Sequence, residues 1–278
     1  MSQANSEIAR WSKAAPYWEK HRGTIERLFR PVSEALIEDS EVVPGMSVLD
    51  IATGHGEPAL RIAEVLGSHG EVVGVDPVDG MIEAARGEAA RRSLWNARFE
   101  IAAADSLPFS DERFDAVVCR FGVMFFPSPA GGAREMLRVL KPGKMLAFAV
   151  WHFPDNNPFH SALAHVVDPV VPPQVLPPDA PEAFRFAAPG KLKRVLEEAG
   201  AANCMERVFQ FSMRAALSVE EFWSLRLEMS GILRDRLATL SPERFARVKE
   251  KAFESFRRFT ADGELSFPAE VLLVSARK

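Results

Sequence analysis

The run Val48-Leu49-Asp50-Ile51-Ala52-Thr53-Gly54-His55-Gly56-Glu57-Pro58 decides the fold. Its first four residues read as a buried strand, apolar apart from one carboxylate. A turn of small residues follows. Pro58 suits the first turn of a helix, where its missing N–H would have no partner anyway. Gly54 and Gly56 let a ligand come close to the backbone. A strand that feeds such a turn and then a helix is how an open parallel sheet holds a ligand at its carboxyl edge.

Downstream, residues 71–75, 99–102, 116–119 and 145–150 are further short β-branched or apolar runs bounded by Gly, Asp or Pro, and they read as parallel strands. Helical stretches lie between them at 59–66, 80–92 and 133–140, the last stopped by Lys141-Pro142-Gly143. This alternation predicts right-handed crossovers and a doubly wound α/β sheet. The pattern changes after Trp151. Residues 154–189 are rich in proline, including Pro172-Pro173 and Pro177-Pro178, and read as an irregular, partly extended excursion. A helix at 191–199 ends at Gly200, and strands at 207–213 and 266–276 are separated by amphipathic stretches at 219–233 and 242–259.

The expected organisation is an N-terminal helical segment (1–41), a core (42–152), a Pro-rich lid insertion (153–189), a core helix and strand (190–213), a helical lid insertion (214–262) and a final core strand (263–278). The alternative for residues 219–259 is a dimer-forming or purely structural helical pair, which would make the chain a homodimer or leave the helices as cover for a core.

The composition fits one large α/β domain: 278 residues, 47% apolar and 26% charged. A net charge of -4 without a dense run of Lys and Arg disfavours a nucleic-acid partner. Two cysteines form no disulfide framework and no zinc-type cluster, which fits a reducing cytoplasm. Residues 1–10 hold no signal-peptide core and the apolar stretches, such as 145–151, are too short to span a bilayer, so a cytoplasmic protein with no membrane partner is expected.

Asp76 ends the second strand twenty residues after Gly56, where a carboxylate can accept both hydroxyls of an adenosine ribose. The loop also satisfies the G-x-G-x-x-A form of a dinucleotide fingerprint, so a nicotinamide cofactor stays open. After the third strand, Ala103-Ala104-Asp105-Ser106-Leu107-Pro108-Phe109 places a carboxylate and a hydroxyl to meet an adenine edge.

Together with Phe114-Asp115-Ala116-Val117-Val118-Cys119 and Leu137-Arg138-Val139-Leu140-Lys141-Pro142-Gly143-Lys144, these motifs resemble the class I S-adenosylmethionine-dependent methyltransferases. The likeness is to the ubiquinone and menaquinone biosynthesis methyltransferases in particular. It is strong over residues 42–150 and weaker over Trp11-Ser12-Lys13-Ala14-Ala15-Pro16-Tyr17-Trp18. It implies a Rossmann-like, doubly wound, seven-stranded sheet, mostly parallel with an antiparallel last strand, and S-adenosyl-L-methionine as cofactor. By the same resemblance Asp50, Thr53, Gly54 and Gly56 surround the methionine part, Asp76 holds the ribose, and Pro77 and Met81 flank the adenine. Ala104, Asp105 and Ser106 lie at its polar edge, and Arg120 sits near the transferring methyl or the cofactor carboxylate. The family often has Gly where this chain has Ala52. The residues alone leave Met81 open as core and Arg120 open as a structural ion-pair residue.

The activity implied is methyl transfer to oxygen or carbon of a small organic acceptor, aromatic or isoprenoid-like. The fourth strand ends Cys119-Arg120-Phe121-Gly122 and lacks the Asn/Asp-Pro-Pro-aromatic signature of enzymes that methylate nucleic-acid amino groups. A sulfonium is already an activated donor, so the chemistry needs in-line positioning and exclusion of water, with no metal required. His152 and His160, after the fifth strand, are the candidate catalytic bases. Trp11, Tyr17, Trp18, Phe125, Phe126, Trp151 and Phe153 either line an apolar pocket or pack as core. Two other readings stay open: a cofactor-binding regulator without catalysis, and a nicotinamide-dependent oxidoreductase, which would leave the Leu-Lys-Pro-Gly segment and the closing hairpin unexplained.

Overall fold

Two helices precede the first strand in the computed structural model, which describes residues 3–261 and 263–278. In chain order the elements are α1 (Gln3–Lys20), α2 (Arg22–Asp39), β1 (Ser47–Ile51), α3 (Ala59–Leu66), β2 (Glu71–Asp76), α4 (Asp79–Arg91), β3 (Ala97–Ile101), β4 (Phe114–Arg120), α5 (Pro129–Val139) and β5 (Leu140–Trp151). There follow α6 (Pro158–Val167), α7 (Lys191–Glu198), β6 (Ala202–Ala215), α8 (Val219–Met229), α9 (Gly231–Leu237), α10 (Pro242–Arg257), β7 (Thr260–Ala261) and β8 (Glu264–Arg277).

The strands form one sheet in the order β3-β2-β1-β4-β5-β8-β6, with the two-residue β7 pairing only with β8. Neighbours from β3 to β5 are parallel, and β8 is antiparallel to both β5 and β6. The seven-stranded sheet with an antiparallel last strand is therefore present. Crossovers run one way from β1 to β3 and the other way from β4 to β5, so a crevice opens between the carboxyl ends of β1 and β4. The glycine turn sits at that crevice. Helices α2, α3 and α4 are joined by the ion pairs Arg61–Glu34 (3.3 Å) and Arg92–Glu26 (2.7 Å). Helices α5 and α7 pack against each other and against β5, β6 and β8.

Register explains where the helical insertions lie. Trp151, the last residue of β5, opposes Val271, so the hairpin from Gln210↔Glu270 to Ala215↔Leu265 continues past the carboxyl edge of the parallel strands. On that extension Phe267 meets Phe159 of α6 and Phe222 of α8, at ring centroids 6.1 and 4.8 Å. Phe222 in turn meets Phe256 of α10 at 4.8 Å. These rings belong to the same hydrophobic cluster as the sheet, so the helical insertions share one core with it.

Several expectations need correction. Residues 154–189 are not wholly irregular, because a single turn at Pro154–Asn156 leads into α6. Pro158 stands at the start of α6, where it breaks no hydrogen bond, and no proline follows within that helix. Asn157 anchors the start: its fully buried side chain donates to the carbonyls of His152, Phe153 and Glu270 and accepts from the Glu270 N–H. The helix expected at 219–233 is two helices divided at Ser230, whose hydroxyl accepts the Leu233 N–H and caps α9. Strand β5 starts at Leu140, and Lys141-Pro142-Gly143 swells out of the ladder, since Phe114↔Leu140 is followed by Ala116↔Met145. No helix among the described residues is long and apolar enough to cross a membrane.

One close approach fixes the crevice. Ala52 has a left-handed backbone, φ 55°, and Gly122 stands beside it across the gap between β1 and β4. A Cβ added to Gly122 would lie 2.4 Å from the Ala52 Cβ, so the alanine fits only because Gly122 has no side chain. Gly122→Ala should therefore destabilise the fold by about 1–3 kcal/mol through overpacking. Ala52→Gly, which relieves the torsion, should restore most of that loss in the double variant. Urea denaturation of the four proteins checks this; additive effects, with coupling below about 0.5 kcal/mol, would contradict the contact.

Candidate functional site

Asp50 organises the glycine turn. It is fully buried, and its Oδ2 accepts the Thr53 hydroxyl at 2.6 Å and the Ala59 N–H, the first amide of α3, at 3.2 Å. Its Oδ1 is buried with no partner. Burial pushes the carboxyl up to about 7 against the opposing pull of Thr53 and Arg120. Gly54 (φ 55°) and Gly56 (φ 106°) both take left-handed torsions. They differ in surroundings: a Cβ on Gly54 would meet nothing within 4 Å, whereas one on Gly56 would press on Leu60 at 2.9 Å. The open side of the turn is thus at Gly54. There the Asp76 carboxylate accepts the Gly54 N–H at 3.0 Å through Oδ2 and the Val78 N–H at 3.0 Å through Oδ1. Burial raises Asp76 to about 6, partly offset by those two amides.

The loop after β3 is tied to the same place, since the Ala102 N–H donates to the Asp76 carbonyl at 3.2 Å. Ala103 and Ser106 close a tight turn that leaves Asp105 and Ser106 exposed, with Ala104 half-buried. Pro77 is half-buried, and Met81 is buried with Val78 and Ala15 in a small separate cluster capped by Ile8, Trp11 and Trp18 of α1. Helix α1 thus covers the turn: Trp11 meets Phe125 at 5.1 Å, and Trp18 lies 6.0 Å from the His55 ring with a buried, unpartnered Nε1.

Arg120 lies beside the turn, close enough to Asp50 to pull on its carboxyl. Its Nη1 donates to the Ser33 hydroxyl at 2.7 Å and its Nη2 to the Glu57 carbonyl at 3.0 Å, with the guanidinium over the Phe29 ring. Both terminal nitrogens are engaged by protein groups, so Arg120 braces α2 against the turn. Arg22, unseen in the sequence, braces it from the other side by donating to the carbonyls of His55 and Ala84. No local pattern announces Arg22; its role follows from where α2 begins. Burial and these two arginines hold His55 down to about 3, so the ring is neutral beside the turn.

The two candidate bases are not brought to the turn. His152 pairs through Nδ1 with Glu270 at 2.8 Å, beside Asn156, and helps join β5 to β8. His160 stands edge-on to Trp151 at 4.7 Å, and Trp151 stacks on Phe121 at 4.7 Å, at the end of β4. Burial and Arg226 pull His160 well below its ordinary value. Its Nδ1 faces an Arg226 Nη2 donor at 3.4 Å, which places the proton of the neutral ring on Nε2 and makes that atom a donor rather than a base. Of the aromatic set, Trp151 and Phe126 are buried and Phe153 is exposed. Phe222 and Trp223 are core residues at 1% and 4% exposure, Phe222 packed on Phe256 and Phe267 and Trp223 on Phe245 and Phe253. Among the described residues no group of three or more His, Cys, Asp or Glu could share a metal ion.

The family model of the methyltransferase domain matches residues 43–200. An aklanonic acid methyltransferase of Streptomyces sp. (strain C5) is 36% identical over 135 residues, 47% of this chain and 61% of that protein. A ubiquinone/menaquinone biosynthesis C-methyltransferase of Teredinibacter turnerae is 32% identical over 193 residues, 66% of this chain and 76% of that protein. The crystal structure of YcgJ from Bacillus subtilis shares the fold, with a TM-score of 0.56 at 20% identity over 88% of this chain and 97% of that one. The chain spans about half to three fifths of the length of the first curated relatives it matches. The match over residues 43–200 contains the whole crevice from Asp50 to Arg120, and the chain belongs to the methyltransferase domain family.

Proposed function

We propose that this chain transfers the methyl group of S-adenosyl-L-methionine to oxygen or carbon of a small aromatic or isoprenoid-like acceptor in the cytoplasm. The observation that carries the reading is the Asp50 Oδ1, a buried carboxylate oxygen without a partner beside an open Gly54, in a chain of the methyltransferase family. A buried anionic oxygen with nothing to accept from is costly, and a cationic ammonium relieves it. Asp50 and Gly54 would hold the methionine part, Asp76 the ribose through lone pairs left free by its two amides, and Pro77 and Met81 the adenine. Asp105 and Ser106 would meet its polar edge.

S-adenosylmethionine supplies an activated methyl on a sulfonium. The chain has to position the acceptor and exclude water, and α1 on one side with Phe121 and Trp151 on the other provide apolar walls for that. The nicotinamide alternative loses support because β8 runs antiparallel between β5 and β6, where a dinucleotide-binding sheet continues parallel in the order 3-2-1-4-5-6. The names of two relatives, an aklanonic acid methyltransferase and a ubiquinone/menaquinone biosynthesis C-methyltransferase, support a small-molecule acceptor, as does a net charge of -4 against nucleic acid.

Incubation with labelled S-adenosylmethionine and a metabolite extract should mark a new small product by mass spectrometry. Binding without any labelled product would instead favour a regulator. Asp76→Ala should weaken cofactor binding by about 1.5–3 kcal/mol, the cost of charge-assisted bonds to two hydroxyls, and calorimetry that finds equal affinity would remove the assignment. Gly54→Val should abolish binding at a folding cost of only about 1–3 kcal/mol, because its side chain meets the ligand's space and strained torsions rather than protein atoms.

The acid dependence follows from the two carboxyls. Asp50 at about 7 and Asp76 at about 6 bind protons more readily in the folded chain than when unfolded, so their contribution to stability is fully present below about 4 and is lost as pH rises through 6 to 7. Cofactor binding needs both ionised. Affinity should therefore fall as pH drops through that window, by about tenfold per unit or more below 6, while the free protein gains stability from these groups. Calorimetry across the range checks the sign; affinity that rises on acidification would contradict it.

A further inference from the structure

Arg226 of α8 is 9% exposed, yet it makes no ion pair among the described residues. Its guanidinium lies over Phe159 at 4.3 Å, one Nη2 donates to His160 Nδ1, and its Nε–H is buried without a partner. Beside it, His160 Nε2 is also buried and unpartnered. Since Arg226 can only donate, it fixes the ring's proton on Nε2, and the pair presents two unmatched donors and one unneutralised positive charge. Contact with Phe159 recovers only part of the hydration that a buried guanidinium loses. Trp151 and Phe184 pack on His160 with ring centroids at 4.7 and 5.3 Å, and Trp151 stacks on Phe121 at the end of β4. The pair, on α6 and α8, thus lies two ring contacts from the end of β4, in the helices packed on the hairpin extension.

We propose that Arg226 and His160 form a carboxylate-binding subsite that anchors the methyl acceptor. The planar edge of a guanidinium matches a carboxylate, and His160 positions that guanidinium by accepting from its Nη2 through Nδ1. The surrounding rings favour a flat acceptor, held by its acid group with the atom to be methylated turned toward Phe121 and the glycine turn. The role in methyl transfer rests on the function proposed above; recognition of the acid does not.

The test uses the full chain and a matched pair of probes, 2-naphthoate and 2-naphthamide, titrated by calorimetry with and without S-adenosylhomocysteine. The acid should bind about tenfold or more tightly than the amide. Arg226→Met should erase that preference while leaving S-adenosylhomocysteine affinity within about twofold, and His160→Phe should weaken the acid severalfold. The wild-type comparison decides even if a variant fails to fold. Equal binding of acid and amide, no saturable binding of the acid, or a preference that survives Arg226→Met overturns the subsite. Failure of S-adenosylhomocysteine to bind overturns the methyltransferase reading instead, and the acid preference is then read on the free chain.

Discussion

Asp50 binds both the hydroxyl of Thr53 and the first amide of α3 through a single oxygen, and the shape of the crevice follows from that double contact. It closes the strand-to-helix turn tightly enough that Thr53 sits where a Cβ on Gly74 would lie 2.7 Å from its hydroxyl. The same closure leaves Ala52 in a left-handed torsion and obliges Gly122 to stay bare. With Oδ2 committed, Oδ1 is left buried and unmatched, and under the proposed function that leftover atom is the one the cofactor's ammonium would meet. Arg120 and Arg22 then hold the turn by its own carbonyls, at Glu57 and His55, so their charges steady the loop.

The parallel half of the sheet was legible because each strand and its following helix are encoded within a few consecutive residues. Helix α3 runs from Ala59 to Leu66, the span read from its pattern, since a proline before it and a glycine after it punctuate the chain. Within residues 154–189, the irregular part is 168–189, and α6 is hidden from a reading of proline density because what matters there is the position of Pro158 at a helix start. The cofactor candidates rest on the glycine turn, the place of Asp76 and the family resemblance, and the structure brings Asp50, Thr53, Gly54, Gly56 and Asp76 to one turn. The partners of Arg120, and any role for Arg22 and Arg226, are opaque in the sequence for another reason. An arginine's role depends on which distant segment buries it: Arg120 meets Ser33, Arg22 meets Ala84, and Arg226 meets His160. No local pattern contains those pairings.

The carboxyl edge has two covers, held with unequal strength. Helices α6, α8 and α10 close around Phe159, Phe222, Phe256 and Phe267, all at 1% exposure or less and continuous with the core under the sheet. Helix α1 meets α4 mainly through Ala15, Val78 and Met81, a separate and much smaller cluster, and its end is tied to α8 by the Lys20–Glu228 pair. Lys20 is more than half exposed, and an ion pair of that kind is worth about 0–1 kcal/mol. Local stability follows buried apolar contact, so parting α1 from the glycine turn costs far less than parting the hairpin helices from the sheet. The consequence is a division of labour: the wall that carries Arg226 and His160 stays fixed with the core, and the turn with Asp50, Gly54 and Asp76 lies under the cover that separates more cheaply.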